Sequence, residues 1–353
     1  MTNNVFDLIN STEIGTYWTE LINDQPPYLG EGLFPNKLIQ GLSLRWIKGA
    51  SKLPVRLRPS HFDTKPTLRD RQSLNLQHTE MPFFRESMQL GEYERQQLLA
   101  LQASQTSQAL VNTIMTKIYD DAATLISGAV LIPEMERMQL LQTGAIAIAS
   151  EVENVSYEYD YDETGAWKAS NFIQLAGDDV WTSPGSRKVR DLMEIKRAAS
   201  RKGITLTRGI LSPEVWLMLL EDPQINLEMY PQGGSNIVID DSTLSRFLTS
   251  KLGITFTVYD KHYNDGTEDQ AFMQNDRIVL LPPGPVGTTY WGTTPEQADL
   301  MANPSVNVTV VNTGVAVATK VDPGPPVNHL TWVSEIVLPS YEGMDQVYVL
   351  KVV

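Results

Sequence analysis

The chain has four histidines, His61, His78, His262 and His329, and no two lie close in sequence. A zinc site draws on closely spaced imidazoles, as in HExxH, or on thiolates. The chain has no HExxH and no cysteine. The missing cysteine also removes a disulfide scaffold and a thiolate nucleophile. Neither a GxSxG elbow nor a GxxxxGK[ST] loop is present. Gly284-Pro285-Val286-Gly287-Thr288-Thr289 has the glycines of a phosphate loop but not its lysine, and Pro285 removes an amide donor. Asp160-Tyr161-Asp162-Glu163-Thr164-Gly165 begins like a calcium loop, yet Asn171 stands at the twelfth position, where a bidentate glutamate belongs. Glu134 and Glu136 could form an acid–base pair. Placed after Pro133, they read more simply as first-turn acids that complement a helix dipole. These residues point to no enzyme, no metal and no cofactor.

The chemistry that does stand out is charge. The chain carries 28 basic and 42 acidic residues, a net of −14. Such a surface repels phosphate backbones, so sequence-specific nucleic-acid binding is a poor reading. Against that mean, Arg45 to Arg85 holds nine basic and three acidic residues, a local net of +6. Arg56, Arg58, Arg69 and Arg71 lie at its centre. Glu151 to Gly165 holds six acids and no Lys or Arg, among them Glu153, Glu158, Asp160 and Asp162. Each run read alone is a solvated face. Read together they are self-complementary, and the basic segment of one copy can lie over the acidic patch of another. Pairing of this kind sets register more than affinity.

The elements that would position these charges follow from spacing. Residues 1–45 are punctuated by Pro26-Pro27, Gly30, Gly32 and Pro35 and read as an extended arm with a short helix near Val5–Ile9. Val55-Arg56-Leu57-Arg58 and Leu68-Arg69-Asp70-Arg71 alternate with period two, as in a two-stranded ribbon. A lone ribbon is marginal in water, and this one lacks apolar residues for a core, so it needs an external surface. Residues 92–127 contain no Gly or Pro and space their apolar residues as a helix. Gly128 interrupts it, and Pro133 starts a second helix that Gly144 stops. Ile146 and Ile148, then Val155, Tyr157, Tyr159 and Tyr161, alternate as a hairpin.

Residues 183–290 read as an α/β unit. A basic helix opens at Ser183-Pro184 and ends before Gly203, and Ile204–Leu211 is a strand. Ser212-Pro213-Glu214 supplies an N-cap, an N1 proline and a first-turn acid. A helix at Ser242–Leu252, the strands Ile254–Tyr259 and Arg277–Leu281, and a turn at Asn264-Asp265-Gly266 complete it. From Ser305 the chain is β-rich and finishes in strands at Leu330–Leu338 and Val347–Val353. A chain of 353 residues suggests two or three lobes. No apolar stretch approaches the ~20 residues of a membrane helix, and Met1–Val5 has no signal-peptide character.

Three segments carry a family resemblance. They are Met135 to Gly144 with the hairpin Ala145–Asp162 behind it, Phe272 to Leu281 running on to Gly287-Thr288-Thr289-Tyr290-Trp291-Gly292, and Asp322-Pro323 followed by the closing strands. In this order they resemble a shell subunit of the Hong Kong 97 capsid fold, and within it the phage lambda major capsid protein E family of tailed phages.

The resemblance implies an α+β fold in four parts. These are an N-terminal arm (1–45), an extended β-hairpin loop (46–90), a peripheral domain with a long spine helix (91–164 and 313–353), and an α/β axial domain (165–312). It implies a major capsid protein that forms hexamers and pentamers of an icosahedral shell around phage DNA, without sequence-specific binding and without a membrane. Portal, separate scaffolding and decoration proteins would be partners, because no fused scaffolding segment precedes the arm. The location would be the virion capsid, assembled in the host bacterial cytoplasm. An encapsulin-like compartment shell, or a hydrolytic enzyme with no recognisable motif, are the alternatives.

Overall fold

The computed structural model describes residues 10–22, 26–48, 75–93, 96–97, 100, 108–150, 155–232, 239–301, 303, 305–322, 324–325 and 327–353. The chain opens with helices α1 (Ser11–Ile22) and α2 (Leu29–Leu33), then strands β1 (Asn36–Leu38), β2 (Ser43–Lys48), β3 (Asn75–Glu80) and β4 (Phe83–Leu90). Helix α3 (Gln108–Thr143) leads into the hairpin β5 (Ala145–Ser150) and β6 (Val155–Asp160). There follow α4 (Ala166–Asn171), β7 (Phe172–Gln174), α5 (Lys188–Arg201), β8 (Arg208–Leu211), α6 (Pro213–Leu220), α7 (Pro223–Met229), α8 (Asp241–Leu252) and β9 (Thr255–Val258). The rest is β: β10 (His262–Asn264), β11 (Asp269–Ala271), β12 (Arg277–Leu281), β13 (Thr288–Trp291), β14 (Asn307–Val311), β15 (Val315–Asp322), β16 (Asn328–Ser340) and β17 (Tyr348–Lys351).

The contacts divide the chain into two units. Residues 1–44, 78–136 and 288–340 make the first; 45–77, 137–287 and 341–353 make the second. These boundaries differ from those the sequence suggested. The strands at 288–311 join the first unit, and the closing strands are split, β16 to the first and β17 to the second.

The first unit is built on a six-stranded sheet in the order β1-β13-β16-β15-β14, with β4 paired to the other edge of β16. Long β16 makes this possible. Its N-terminal part pairs antiparallel with β15 and with β4, and its last residues, Val337 to Ser340, pair with β13. Ile14 and Trp18 of α1, and Ala122, Leu125, Ile126 and Val130 of α3, share a core with Val311, Val315, Val317, Val333 and Val337 of the sheet.

The N-terminal region is therefore not simply an extended arm. Asn10 accepts from the Glu13 amide at 2.9 Å and caps α1, and Ile14 and Trp18 are buried. The scattered apolar residues hid a helix that tertiary packing fills. The helix expected near Val5–Ile9 lies outside the described residues.

Helix α3 corrects a second expectation. It runs unbroken through Gly128 and contains Pro133 in its interior. An interior proline costs roughly 3 kcal/mol and a glycine about 1 kcal/mol. Burial of Val130, Met138, Leu140 and Leu141 on one continuous helix outweighs both. Glu134 consequently sits mid-helix rather than at a helix start. It is buried, and its Oε1 accepts from the Gly30 amide of α2 at 3.0 Å. Of residues 92–107 expected in this helix, most lie outside the described residues.

The second unit is a five-stranded mixed sheet, β7-β17-β12-β8-β9. Alternation within its strands sends Ile278, Leu280, Leu211, Tyr348 and Leu350 to one face. There they pack with Leu192, Ile195 and Ala199 of α5, Val215 and Leu219 of α6, and Leu244, Leu248 and Leu252 of α8. Ser212 caps α6 as its sequence suggests, with Oγ accepting from the Val215 amide at 3.3 Å. Helix α5 begins at Lys188, later than Ser183-Pro184. A turn closed by Ser186 N to Ser183 O at 3.1 Å occupies that stretch and seats Trp181 in the core.

Within the second unit, Gln142 ties the C-terminal end of α3 to the segment before β12. Its buried amide donates to the carbonyls of Met138 and Phe272, both at 2.8 Å, and accepts from the Gln274 amide at 2.8 Å. Gly144 then ends the helix at φ 73°. A Cβ there would meet Met344 Cε at 2.7 Å and the Trp167 ring at 3.0 Å.

Candidate assembly site

The basic segment is rooted at two places. β2 and β3 form a two-stranded sheet of their own, so the chain between Lys48 and Asn75 leaves and returns at one ribbon. Arg56, Arg58, Arg69 and Arg71 lie outside the described residues. At the base, Trp46 is buried and its ring lies 5.3 Å from Tyr161.

The other root is β4. It belongs to the six-stranded sheet, so residues 83–90 are part of the frame and not of the extended loop. Arg85, the last of the nine basic residues, donates to Glu296 Oε1 at 2.5 Å. Glu296 lies in a short π-helical turn, Glu296–Leu300. It is 1% exposed and also accepts from Trp332 Nε1 at 3.0 Å and from Ser334 Oγ at 2.6 Å. Burial opposes its charge, but the bonds from Ser334, its own backbone and Trp332, together with the Arg85 guanidinium, win. Its carboxyl is held below the usual range. Sequence reasoning missed this residue. A signal was available in Thr294-Pro295-Glu296-Gln297, whose Thr294 and Gln297 bond reciprocally to each other's amides at 3.4 and 3.3 Å, the pattern of a capping box.

The acidic run forms the hairpin β5–β6, as its alternation suggested. Ile146 faces Tyr159 and Ile148 faces Tyr157; Ala145 faces Asp160 and Ala147 faces Glu158. One face is therefore aliphatic and aromatic, with the Tyr157 and Tyr159 rings parallel at 6.4 Å. The other carries Glu158 and Asp160, both exposed, over alanines. Glu153 lies outside the described residues.

Asp162 does not belong with the exposed pair. It is 3% exposed, and its two oxygens accept from the amides of Trp167 at 2.9 Å and Lys168 at 2.8 Å, closing the first turn of α4. Its carboxylate is consumed within its own chain, and it leaves the set of contact residues.

The remaining candidates are placed as follows. Asn171 turns its amide to the carbonyls of Asp345 and Val347 at 2.9 and 3.0 Å, so, like Asp162, it is committed to bonds within its own chain. Among the described residues no group of three His, Asp or Glu side chains is arranged to hold a metal ion. The loop after β12 offers carbonyls rather than amides: the Arg208 guanidinium donates to Pro282 O at 3.1 and 2.7 Å and to Gly284 O. That polarity suits a cation and not a phosphate. Of the histidines, His262 is exposed on β10 and His329 is buried on β16, in different units. His61 and the side chain of His78 lie outside the described residues. No helix among the described residues is long and apolar enough to cross a membrane.

The fold and the sequence agree on a class. Among solved structures, the chain is similar to a prophage-encoded protein of Escherichia coli CFT073 assigned to the capsid, at 15% identity and TM-score 0.59, covering 98% of this chain and 99% of that one. It is similar to a phage-related protein of Bordetella bronchiseptica at 13% identity and TM-score 0.55, covering 97% of each chain. A capsid chain of the cyanophage A-1(L) matches at 13% identity and TM-score 0.52, covering 93% and 92%. This is the Hong Kong 97 type of capsid fold. No curated protein matches the chain in sequence. The model of the family described as phage major capsid protein E matches residues 11–312. The chain belongs to that family and is a shell-forming capsid protein.

Proposed function

We propose that copies of this chain assemble as hexamers and pentamers into the icosahedral head of a tailed phage. The shell encloses double-stranded DNA without reading its sequence. In this reading the basic segment that leaves and re-enters at β2–β3 reaches over a neighbouring copy. Arg56, Arg58, Arg69 and Arg71 meet acidic residues there, with Glu158 and Asp160 on the exposed face of β5–β6, together with Glu153 of the same acidic run, as the counterpart. Portal, separate scaffolding and decoration proteins complete the particle, which forms in the host bacterial cytoplasm.

One observation carries this reading: the family match spans the rooted basic segment and the acidic hairpin together. The energetics fit. A two-stranded ribbon is marginal alone, and a head-to-tail contact between unlike surfaces closes into rings and shells. The test replaces Arg56, Arg58, Arg69 and Arg71 with Glu in the full chain. The expected result is a folded subunit by circular dichroism that sediments without shells. Normal shells from that variant would refute the clasp.

A further inference from the structure

We infer that the exposed arginine face of α5 is a contact with a second copy of this chain, and that it meets the acidic hairpin β10–β11 of that copy. The inference rests on the shell reading and adds a second charged contact to it.

The observation starts from helix geometry. At 3.6 residues per turn, Arg187, Arg190, Glu194, Arg197 and Arg201 fall within a sector of about 80°, along roughly 20 Å of helix. All five are exposed. The opposite side carries Val189, Leu192, Ile195 and Ala199 into the core. The stripe thus holds four arginines against one glutamate, in a chain of net charge −14. Its one internal ion pair is Arg190 Nε to Glu194 Oε1 at 2.9 Å. Among the described residues Arg197 and Arg201 have no ion-pair partner. Arginine is more weakly hydrated than lysine and makes forked bonds to carboxylates, which suits it to contacts between proteins.

The counterpart lies in the same unit. Asp260, Asp265, Glu268 and Asp269 are exposed on and beside β10–β11, and Lys261 is half-buried there. The hairpin is stiff. Asp265 Oδ1 accepts from the amides of Thr267 and Glu268 at 2.9 and 2.8 Å, and Asn264 Nδ2 donates to Asp269 Oδ1 at 2.8 Å. Asp265 and Asp269 are thereby held in place.

Charge balance selects the occupant. Acidic copies packed side by side repel one another unless cationic surfaces meet acidic ones. Two unlike patches on one chain give the head-to-tail contact that a ring needs. The β5–β6 acids are already engaged by the basic segment in the proposed assembly, and β10–β11 gathers four exposed acids on one hairpin against the four arginines of α5.

The experiment uses the full chain under conditions where the unmodified protein forms shells, scored by sedimentation and negative-stain microscopy. Arg190→Glu, Arg197→Glu and Arg201→Glu together reduce shell yield roughly tenfold or more, because like charges then face each other. Circular dichroism stays unchanged. Asp260→Lys, Glu268→Lys and Asp269→Lys together have the same effect, and Asp265 is kept because it closes the turn. Both sets in one chain restore shells to within about threefold of the original, since the pair is swapped and not removed.

Undiminished shells from the α5 variant overturn the contact and leave the shell reading standing. Failure of the combined variant to recover overturns the assignment of β10–β11. Normal shells that lose retained DNA, or protein that loses salt-sensitive binding to a random duplex, would give the face to phosphates and overturn the proposal. An unmodified chain that forms no shells, alone or with its scaffolding protein, overturns the shell reading and this contact with it.

Discussion

The two units solve the same problem, holding a sheet against helices, with different chemistry. In the second, the helix-bearing face is sealed by aliphatic side chains from β8, β12 and β17 against α5, α6 and α8. Its polar bonds sit at junctions, such as Gln142 at the end of α3 and the Lys188 Nζ–Asp222 Oδ2 pair at 3.2 Å. The first unit places a carboxylate inside its sheet layer, where Glu296 gathers Trp332, Ser334 and Arg85. A buried charge is weak evidence for stability, and removing one of its partners leaves an uncompensated charge, so it is sensitive to the geometry that satisfies it. The comparison teaches that the first unit fixes where β4, and hence the root of the basic segment, must lie. The second holds the β2–β3 root through an apolar contact, Trp46 on Tyr161, and closes its layers by packing.

Removing Glu296 should break the comparison most sharply. Glu296→Ala strands three donors, two of them in the core, and should cost about 3–5 kcal/mol. Hydrogen exchange would locate the damage: amides of β15 and β16 lose protection, while those of β8 and β12 keep it.

Gln142→Ala is the matching change in the second unit. It removes the bond to the Phe272 carbonyl and the acceptor of the Gln274 amide, at a cost of about 2 kcal/mol in denaturant unfolding. Protection should fall at β12 and persist at β16. Gly144→Ala is expected to cost a comparable ~2 kcal/mol, from φ 73° and the contact with Met344 Cε.

A pH series sharpens the contrast. The Glu296 carboxyl is held below its ordinary value of about 4.3. A depressed acid contributes fully above its unfolded value, and that contribution is lost as pH falls through the folded one. The first unit should therefore weaken below about pH 4.3, and Glu296→Gln should remove that dependence while lowering stability at neutral pH. The smallest effect belongs to the surface: Arg190→Ala, which loses the exposed pair with Glu194, should change stability by about 0.5 kcal/mol or less.

Much of this was legible in sequence where local rules and tertiary packing agree. The alternation of Ile146, Ile148, Tyr157 and Tyr159 gave the hairpin and put Glu158 and Asp160 on one face. Ser212-Pro213-Glu214 marked its helix start. Gly144 marked its stop because only a residue tolerant of positive φ fits there. The misses occurred where packing overrode local signals. Pro133 and Gly128 read as breaks, but the buried residues of α3 hold the helix through both. Residues 11–22 read as arm because Ile14 and Trp18 alone do not make a period. Asp162 looked like its exposed neighbours Glu158 and Asp160, since nothing in a run of acids distinguishes the one that turns inward to meet Trp167 and Lys168. The capping box of Thr294 and Gln297 marks the turn that carries Glu296, but its burial was not legible because its partners lie far away in sequence, at Arg85, Trp332 and Ser334.

The position of β17 bears on timing. Tyr348 to Lys351 form an inner strand, bonded to β12 on one side and to β7 on the other. Until that stretch has emerged from the ribosome, β7 has no neighbour in the sheet and Tyr348 and Leu350 are missing from the core. A nascent chain can accordingly finish its first unit while the second stays open.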